Sequence, residues 1–443
     1  MYYKLTEGSI PKNLILFALP MIAGNLLQQI YNITDTLIVG QFIGVHALGA
    51  VGSAYALMVF LTSIFIGLSM GIGSLFSIYY GAKNDHALKT AIVHAFFLVI
   101  GVALTLTVLS YLLIHPILTF LNVPTVIVPD LKTYLMWILS GMVAVAFYNF
   151  FASLLRAVGN STIPLYFLAF SAITNILLDS LFVIVFQMGI AGAAIATVIA
   201  QYLSAIGITL YVLTKCKSLL PTREHFYYDK AILKSITKFS LLTCLQQSCM
   251  NFGILLIQRL VNSFGAVTMA GFGAGVKIDT FAYLPVQDFG NAFSTFVAQN
   301  YGAGKKERLR DGIKIACLLS TAFSLVASLF VCLFAKHLMM VFVKREEIEV
   351  ILSGIHYLRI EGAFYVGIGI LFLLYGLYRS MNQPLMSLVL TIISLGLRVV
   401  LAYSLAPLFH ETGIWISIPI GWFIADAFGF YYYFKHRSVL MKE

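Results

Sequence analysis

"FIGVHALGAVGSA" runs from Phe42 to Ala54, and "SFGAVTMAGFGAG" runs from Ser263 to Gly275, 221 residues later. The same shift carries "YYGAKN" (Tyr79–Asn84) onto "NYGAGK" (Asn300–Lys305). A shift of 223 carries "LLRAVGN" (Leu154–Asn160) onto "LYRSMNQ" (Leu377–Gln383) and matches Arg156 to Arg379. Chance does not easily place three such matches in one order, so the chain reads as one unit written twice. What the unit is follows from the residues around the matches, which are overwhelmingly apolar.

Of 443 residues, 60% are hydrophobic and 10% charged, and the mean hydropathy is +0.92. Soluble domains carry about 25% charged residues, so this composition describes a polytopic membrane protein, which implies a lipid bilayer as partner. Runs of about 20 apolar residues, enough to cross a bilayer, start near Lys12, Ala47, Leu88, Leu131, Ser161, Ile190, Ser235, Thr268, Gly312, Ile351, Leu385 and Ile414. The fold class is therefore all-α, with twelve transmembrane helices. Alternating strands of about ten residues, the mark of a membrane β-barrel, are missing.

The polar start "MYYKLTEGSIPKN" is not followed by a short apolar core with a small-residue cleavage site, so the first span is expected to be its own insertion signal. Twenty of the 28 Lys and Arg fall at the termini and in alternate loops such as "GAKNDHALK" and "GAGKKERLRDGIK". The opposite loops hold five: Lys132, Lys336, Lys344, Arg345 and Arg359. This bias puts both termini in the cytoplasm. It also accounts for the net charge of +10 without a nucleic-acid partner.

Six spans per repeat leave the two halves in the same orientation. The expected architecture is two six-helix bundles related by a pseudo-two-fold axis along the membrane normal, with a cavity between them. The boundaries are 1–218 for the first lobe, 219–234 for a cytoplasmic linker and 235–443 for the second lobe.

Inside the first span lies "YNITDTLIVG" (Tyr31–Gly40), with one acid, Asp35. An ionised side chain at bilayer depth costs about 2.5 kcal/mol or more, so it pairs, binds an ion or exchanges a proton. Helix 5 carries "TNILLDS", with Asn175 and Asp179 four apart on one face. Helix 6 offers Thr197, and helix 4 begins near Tyr134. At 1.5 Å per residue, Asp35 is about 9 Å, Asp179 and Thr197 about 12 Å, and Asn175 about 18 Å from the outer ends of their helices. Two carboxylates, an amide oxygen and a hydroxyl at compatible heights suit a small hard cation. Two carboxylates close together also hold a proton between them. Asp35, Asn175, Asp179 and Thr197 are thus the expected site for H+ or Na+, with Tyr134 beside them. Pro20, on the same helix as Asp35, removes a backbone hydrogen bond and permits a kink. Either ion occupancy changes the bend there, or the kink is static.

The elements "GSIPKNLILFALP", "NLLQQIYNITDTLIVGQFIG", "YYGAKN", "RAVGNSTIP" and "ITNILLDSLF", with their echoes in the second half, resemble the multidrug and toxic compound extrusion (MATE) family over nearly the whole chain. The resemblance implies a bacterial cytoplasmic-membrane antiporter that expels organic cations in exchange for sodium or protons, without a cofactor and as a monomer. In the family, Asp35, Asn175, Asp179 and Thr197 match the cation site of the first lobe, with Tyr134 nearby. Some members carry a further acidic site in helices 7 and 10, but here helix 7 has no acid and helix 10 only Glu361, towards its outer end. This departure points to the DinF-like or Gram-positive branch. The wider superfamily also includes lipid-linked precursor flippases, whose cavity would need several cations.

The second half is not free of charge. Arg259, Lys277, Asp279, Asp288, Glu361 and Arg398 fall within or near its spans. They form either a buried ion-pair network or a contact for a cationic substrate. The many aromatics (35 Phe and 24 Tyr) suit flat lipophilic cations. The isolated His46, His94 and His115 form no catalytic constellation, and the five cysteines (Cys216, Cys244, Cys249, Cys317, Cys332) lack metal or redox spacing, so no enzyme is expected. "GAGKKERLRDG" lacks the spacing of a phosphate loop, which leaves an ion gradient as the energy source.

Overall fold

The computed structural model describes residues 3–121 and 125–440; the outermost residues of both predicted lobes, 1–2 and 441–443, lie outside that range. The first half contains α1 (Ile10–Ile38), α2 (Val45–Gly81), α3 (Asp85–Leu112), α4 (Ile114–Leu121), α5 (Val128–Ile138), α6 (Met142–Ala157), α7 (Thr162–Asp179) and α8 (Gly189–Lys215). The second contains α9 (Lys230–Asn262), α10 (Ala266–Gly302), α11 (Lys306–Phe342), α12 (Ile348–Gly362), α13 (Tyr365–Ser380), α14 (Pro384–Lys435) and the short α15 (Arg437–Leu440). No strand occurs among the described residues.

Nine helical runs are long and apolar enough to span a membrane, and α12 with α13, bent by 52°, make a tenth. α14 is two spans in one run, divided at His410, where φ is 52°. α10, which carries Lys277, Asp279 and Asp288, completes the twelve. Most of the helices begin before the apolar cores suggest, by up to six residues at α11, and polar loop residues cap two of them. Asn84 Oδ1 accepts from Ala87 N (3.0 Å) ahead of α3, and Asp229 Oδ1 accepts from Ala231 N and Ile232 N (2.9 and 3.0 Å) ahead of α9. Such caps satisfy amides that no earlier carbonyl can reach.

The repeat is written into the backbone. Gly44 and Gly265 (φ 118° and 98°), Lys83 and Gly304 (54° and 66°), Gly159 and Asn382 (88° and 61°), and Gln187 and His410 (both 52°) are pairs of left-handed residues. The first two pairs lie 221 apart and the last two 223, as the sequence matches do. Breaks inside spans repeat as well. The tight turn Leu139–Gly141 between α5 and α6 corresponds to residues 362–364, where α12 gives way to α13.

The described chain divides into two compact units, residues 19–244 with Tyr3, and residues 4–18 with 245–440. The divisions fall inside α1 and α9, not in the loop between α8 and α9. Within the first unit, the initial turns of α9 lie against α2. A Cβ at Gly67 would stand 2.6 Å from Cys244 Cα, and one at Gly71 would stand 2.5 Å from Phe239 O. Pro20 sits inside α1, two residues from the division.

Candidate functional site: an acid pair in each half

In the first unit, α1 and α7 present Asp35 and Asp179 with their carboxyl groups facing at hydrogen-bonding range. Both helices change to a π-helical turn just past the acid, at Val39–Ile43 and Ser180–Val185. Such wide turns are frequent at functional sites. Asp179 is wholly buried, and Asn175, one turn earlier, is 2% exposed. The amide of Asn175 is held from α8: its Nδ2 donates to Thr197 Oγ1 (3.1 Å), which donates in turn to Ala193 O (3.1 Å). Thr197 therefore orients Asn175. Tyr134, buried on α5, lies in the field of both carboxylates together with Tyr31, four residues before Asp35 on α1.

Asp35 Oδ1, both oxygens of Asp179 and Asn175 Oδ1 are buried without a hydrogen-bond donor. Among the described residues no Lys or Arg forms an ion pair there. Four hard oxygens that lack a counter-charge have the chemistry to accept a proton or a small cation. No group of three or more His, Cys, Asp or Glu that could cage a metal ion is found among the described residues.

The six charges singled out in the second half do not stay together. Arg259 is exposed in the last turn of α9, where a cation complements the helix dipole. Lys277 faces an open cleft of about 490 Å³ with Lys344 and Glu347. Asp288 is buried nine residues beyond Asp279 on α10, about 13 Å along the axis. Asp279, Glu361 and Arg398 do gather, on α10, α12 and α14. Asp279 and Glu361 side chains meet at hydrogen-bonding range, and Arg398 lies in the field of Glu361. Glu361 stands in the last turn of α12, so the break at 362–364 swings Tyr365 round to donate its hydroxyl to Asp279 Oδ1. Tyr357 reaches both acids. Its ring packs edge-on against Phe272 and Trp415 (5.1 and 5.0 Å between centroids), and Gly275 leaves the space the ring needs.

The sequence reading did not single out Tyr31, Tyr357 or Tyr365. For Tyr357 a signal was present: the 223-residue shift carries Tyr134 onto Tyr357 and Asn175 onto Arg398.

A membrane bundle built from a repeated unit, with broken helices and buried acids inside its spans, has the construction of a secondary transporter. The MatE family model matches twice, at residues 20–181 and 243–404, again 223 apart, and the chain belongs to this family of transporters. It is 30% identical to "Probable multidrug resistance protein YpnP" of Bacillus subtilis over 99% of this chain and 98% of that protein. It is 27% identical to "Probable multidrug resistance protein NorM" of Thermotoga maritima, over 94% of this chain and 92% of that one. A solved structure described as MATE in complex with MaL6 superposes with a TM-score of 0.94 at 23% identity, covering 100% of this chain and 99% of that one. The protein is thus a multi-pass membrane transporter and not an enzyme.

Proposed function

We propose that this protein exports small lipophilic cations from a bacterial cell by alternating access, in exchange for H+ or Na+ bound at Asp35 and Asp179. The observation that carries the reading is the set of four buried oxygens without donors at Asp35, Asp179 and Asn175. Binding one cation there satisfies them, and releasing it leaves a charge that the low-dielectric surroundings do not tolerate. Occupancy and conformation are therefore linked, which is what exchange requires. The names of the two multidrug resistance relatives support drug-like cargo. The positive loops support a cytoplasmic placement of both termini and of the linker 219–234 that joins lobes 1–218 and 235–443. A monomer suffices, since both halves of the repeat reside in one chain. The flippase alternative is not favoured: Arg259 and Lys277 stand apart from Arg398 and do not form one cationic lining.

The test is ethidium efflux from vesicles under imposed proton or sodium gradients, for wild type and Asp35→Asn. Efflux driven by one gradient and lost in Asp35→Asn is the expected result and names the ion. Absence of organic-cation movement under either gradient refutes the export of drugs.

A further inference from the structure

The second unit contains an acid pair that the exchange cycle above does not use. Asp279, Glu361, Tyr357, Tyr365 and Arg398 are each between 2% and 9% exposed. Asp279 Oδ2, Glu361 Oε2 and Arg398 Nε are buried with no hydrogen-bond partner. Among the described residues neither carboxylate has a Lys or Arg in ion-pair contact. Two ionised acids beside one arginine leave a net negative charge in a buried place, a costly arrangement.

The position within the repeat gives this cluster its meaning. Tyr134, which flanks the Asp35–Asp179 pair, corresponds to Tyr357, and Asn175 corresponds to Arg398. The second half has therefore built an acid pair on the same part of its frame, with a permanent cation where the first half has a neutral amide. A fixed guanidinium repels a metal ion and balances one acid. Tyr365 and Tyr357 bring hydroxyl donors, which occupy lone pairs that a sodium ion would need. One charge is left to neutralise, between two bare oxygens.

We propose that Asp279 and Glu361 form a second, single-proton site, in which one proton is shared between the two carboxyl groups while Arg398 balances the remaining charge. The titratable and charged groups facing it are Tyr283 on α10, Tyr357 on α12, Tyr365 on α13 and Arg398 on α14, with Cys332 on α11 beside Tyr365. The first half binds the exchanged ion; the second carries a proton of its own.

The test needs no transported molecule. Infrared difference spectra of the purified full-length protein at neutral pH report the carbonyl stretch of a protonated carboxyl group. The background is Asp35→Asn/Asp179→Asn, which silences the first pair. A protonated-carboxyl band is expected to persist there, to be lost on adding Asp279→Asn or Glu361→Gln, and to shift on adding Tyr365→Phe, which removes a donor from Asp279. A band unchanged by the two acid substitutions, or no band in the background, overturns the proposal. Should the acid variants fail to fold, judged by gel filtration, a band unmoved by Tyr365→Phe overturns it. Because efflux is not the readout, failure here leaves the export reading standing, and failure of export leaves this site untouched.

Discussion

Tyr134 and Tyr357 occupy the same place in the two copies of the repeat, 223 residues apart, and each stands beside a pair of carboxyl groups. The acids themselves are not repeat partners: Asp35 and Asp179 come from α1 and α7, Asp279 and Glu361 from α10 and α12. The frame was kept, and the charges were placed on it differently in each half. Asparagine at 175 leaves the first pair without any built-in cation, and on the proposed reading its counter-charge is the exchanged ion. Asp179→Asn is therefore expected to abolish gradient-driven efflux. The same change removes a buried charge that has no partner, and such removals often stabilise. Melting of the solubilised protein should rise by a few degrees while efflux is lost. Lower melting together with lost efflux would show only that the variant is damaged.

Much of this was legible in the sequence. The spans follow from apolar run length, and the repeat follows from three short matches that the left-handed residues reproduce. Asp35, Asp179, Asn175 and Thr197 were grouped by depth, since a straight helix converts residue number into height, together with a shared helix face, the chemistry of hard oxygens and the family resemblance. Height does not determine direction, however. Lys277 and Asp279 share a level, yet residues two apart on a helix face different ways, and so one lines a cleft while the other joins the acids. Tyr365 was not legible because only the bend after Glu361 turns it towards Asp279. Glu411 was hidden for a similar reason: it directly follows the left-handed His410, which sets its direction.

That glutamate ties three spans together. Thr268 Oγ1 on α10 and Ser353 Oγ on α12 donate to Glu411 Oε2 (2.8 and 3.2 Å), and His356 Nδ1 lies 3.9 Å from Oε1. Glu411→Ala removes both acceptor bonds at a partly buried site and is expected to cost about 1–2 kcal/mol. Glu411→Gln keeps an acceptor and loses only the contact with a half-exposed His356, worth about 0.5 kcal/mol or less. Thermal melting of the two variants separates these outcomes. Equal losses would mean that charge, not hydrogen bonding, holds the spans.

The segment before α1 is gripped by α11. Arg308 donates from Nε and Nη2 to Leu5 O, from Nη2 to Glu7 O and from Nη1 to Gly8 O, at 2.7–3.2 Å. Lys305 Nζ adds a bond to Thr6 O (2.8 Å) and Asn300 Nδ2 one to Leu5 O (3.2 Å). Charged donors to backbone carbonyls are among the stronger hydrogen bonds, and a partly exposed set of this kind should be worth about 2 kcal/mol. Arg308→Ala is expected to speed tryptic cleavage at Lys4 and Lys12 by about thirtyfold, since cleavage follows the open population. Unchanged cleavage would show that the segment is held elsewhere.

Pro20 withholds an amide from the carbonyl of Leu16, one turn earlier in α1, and lies beside the point where the helix passes from one compact unit to the other. If α1 flexes as Asp35 exchanges its ion, as proposed, a missing rung there favours the motion. Pro20→Ala restores that hydrogen bond and lifts a helix-interior penalty of up to about 3 kcal/mol. Melting should therefore rise while ion-driven efflux falls, with substrate binding preserved. Ethidium binding by fluorescence polarisation, set beside the efflux rate, distinguishes a stiffened cycle from a lost site. If efflux is unchanged when melting rises, the kink is static and α1 does not bend during exchange.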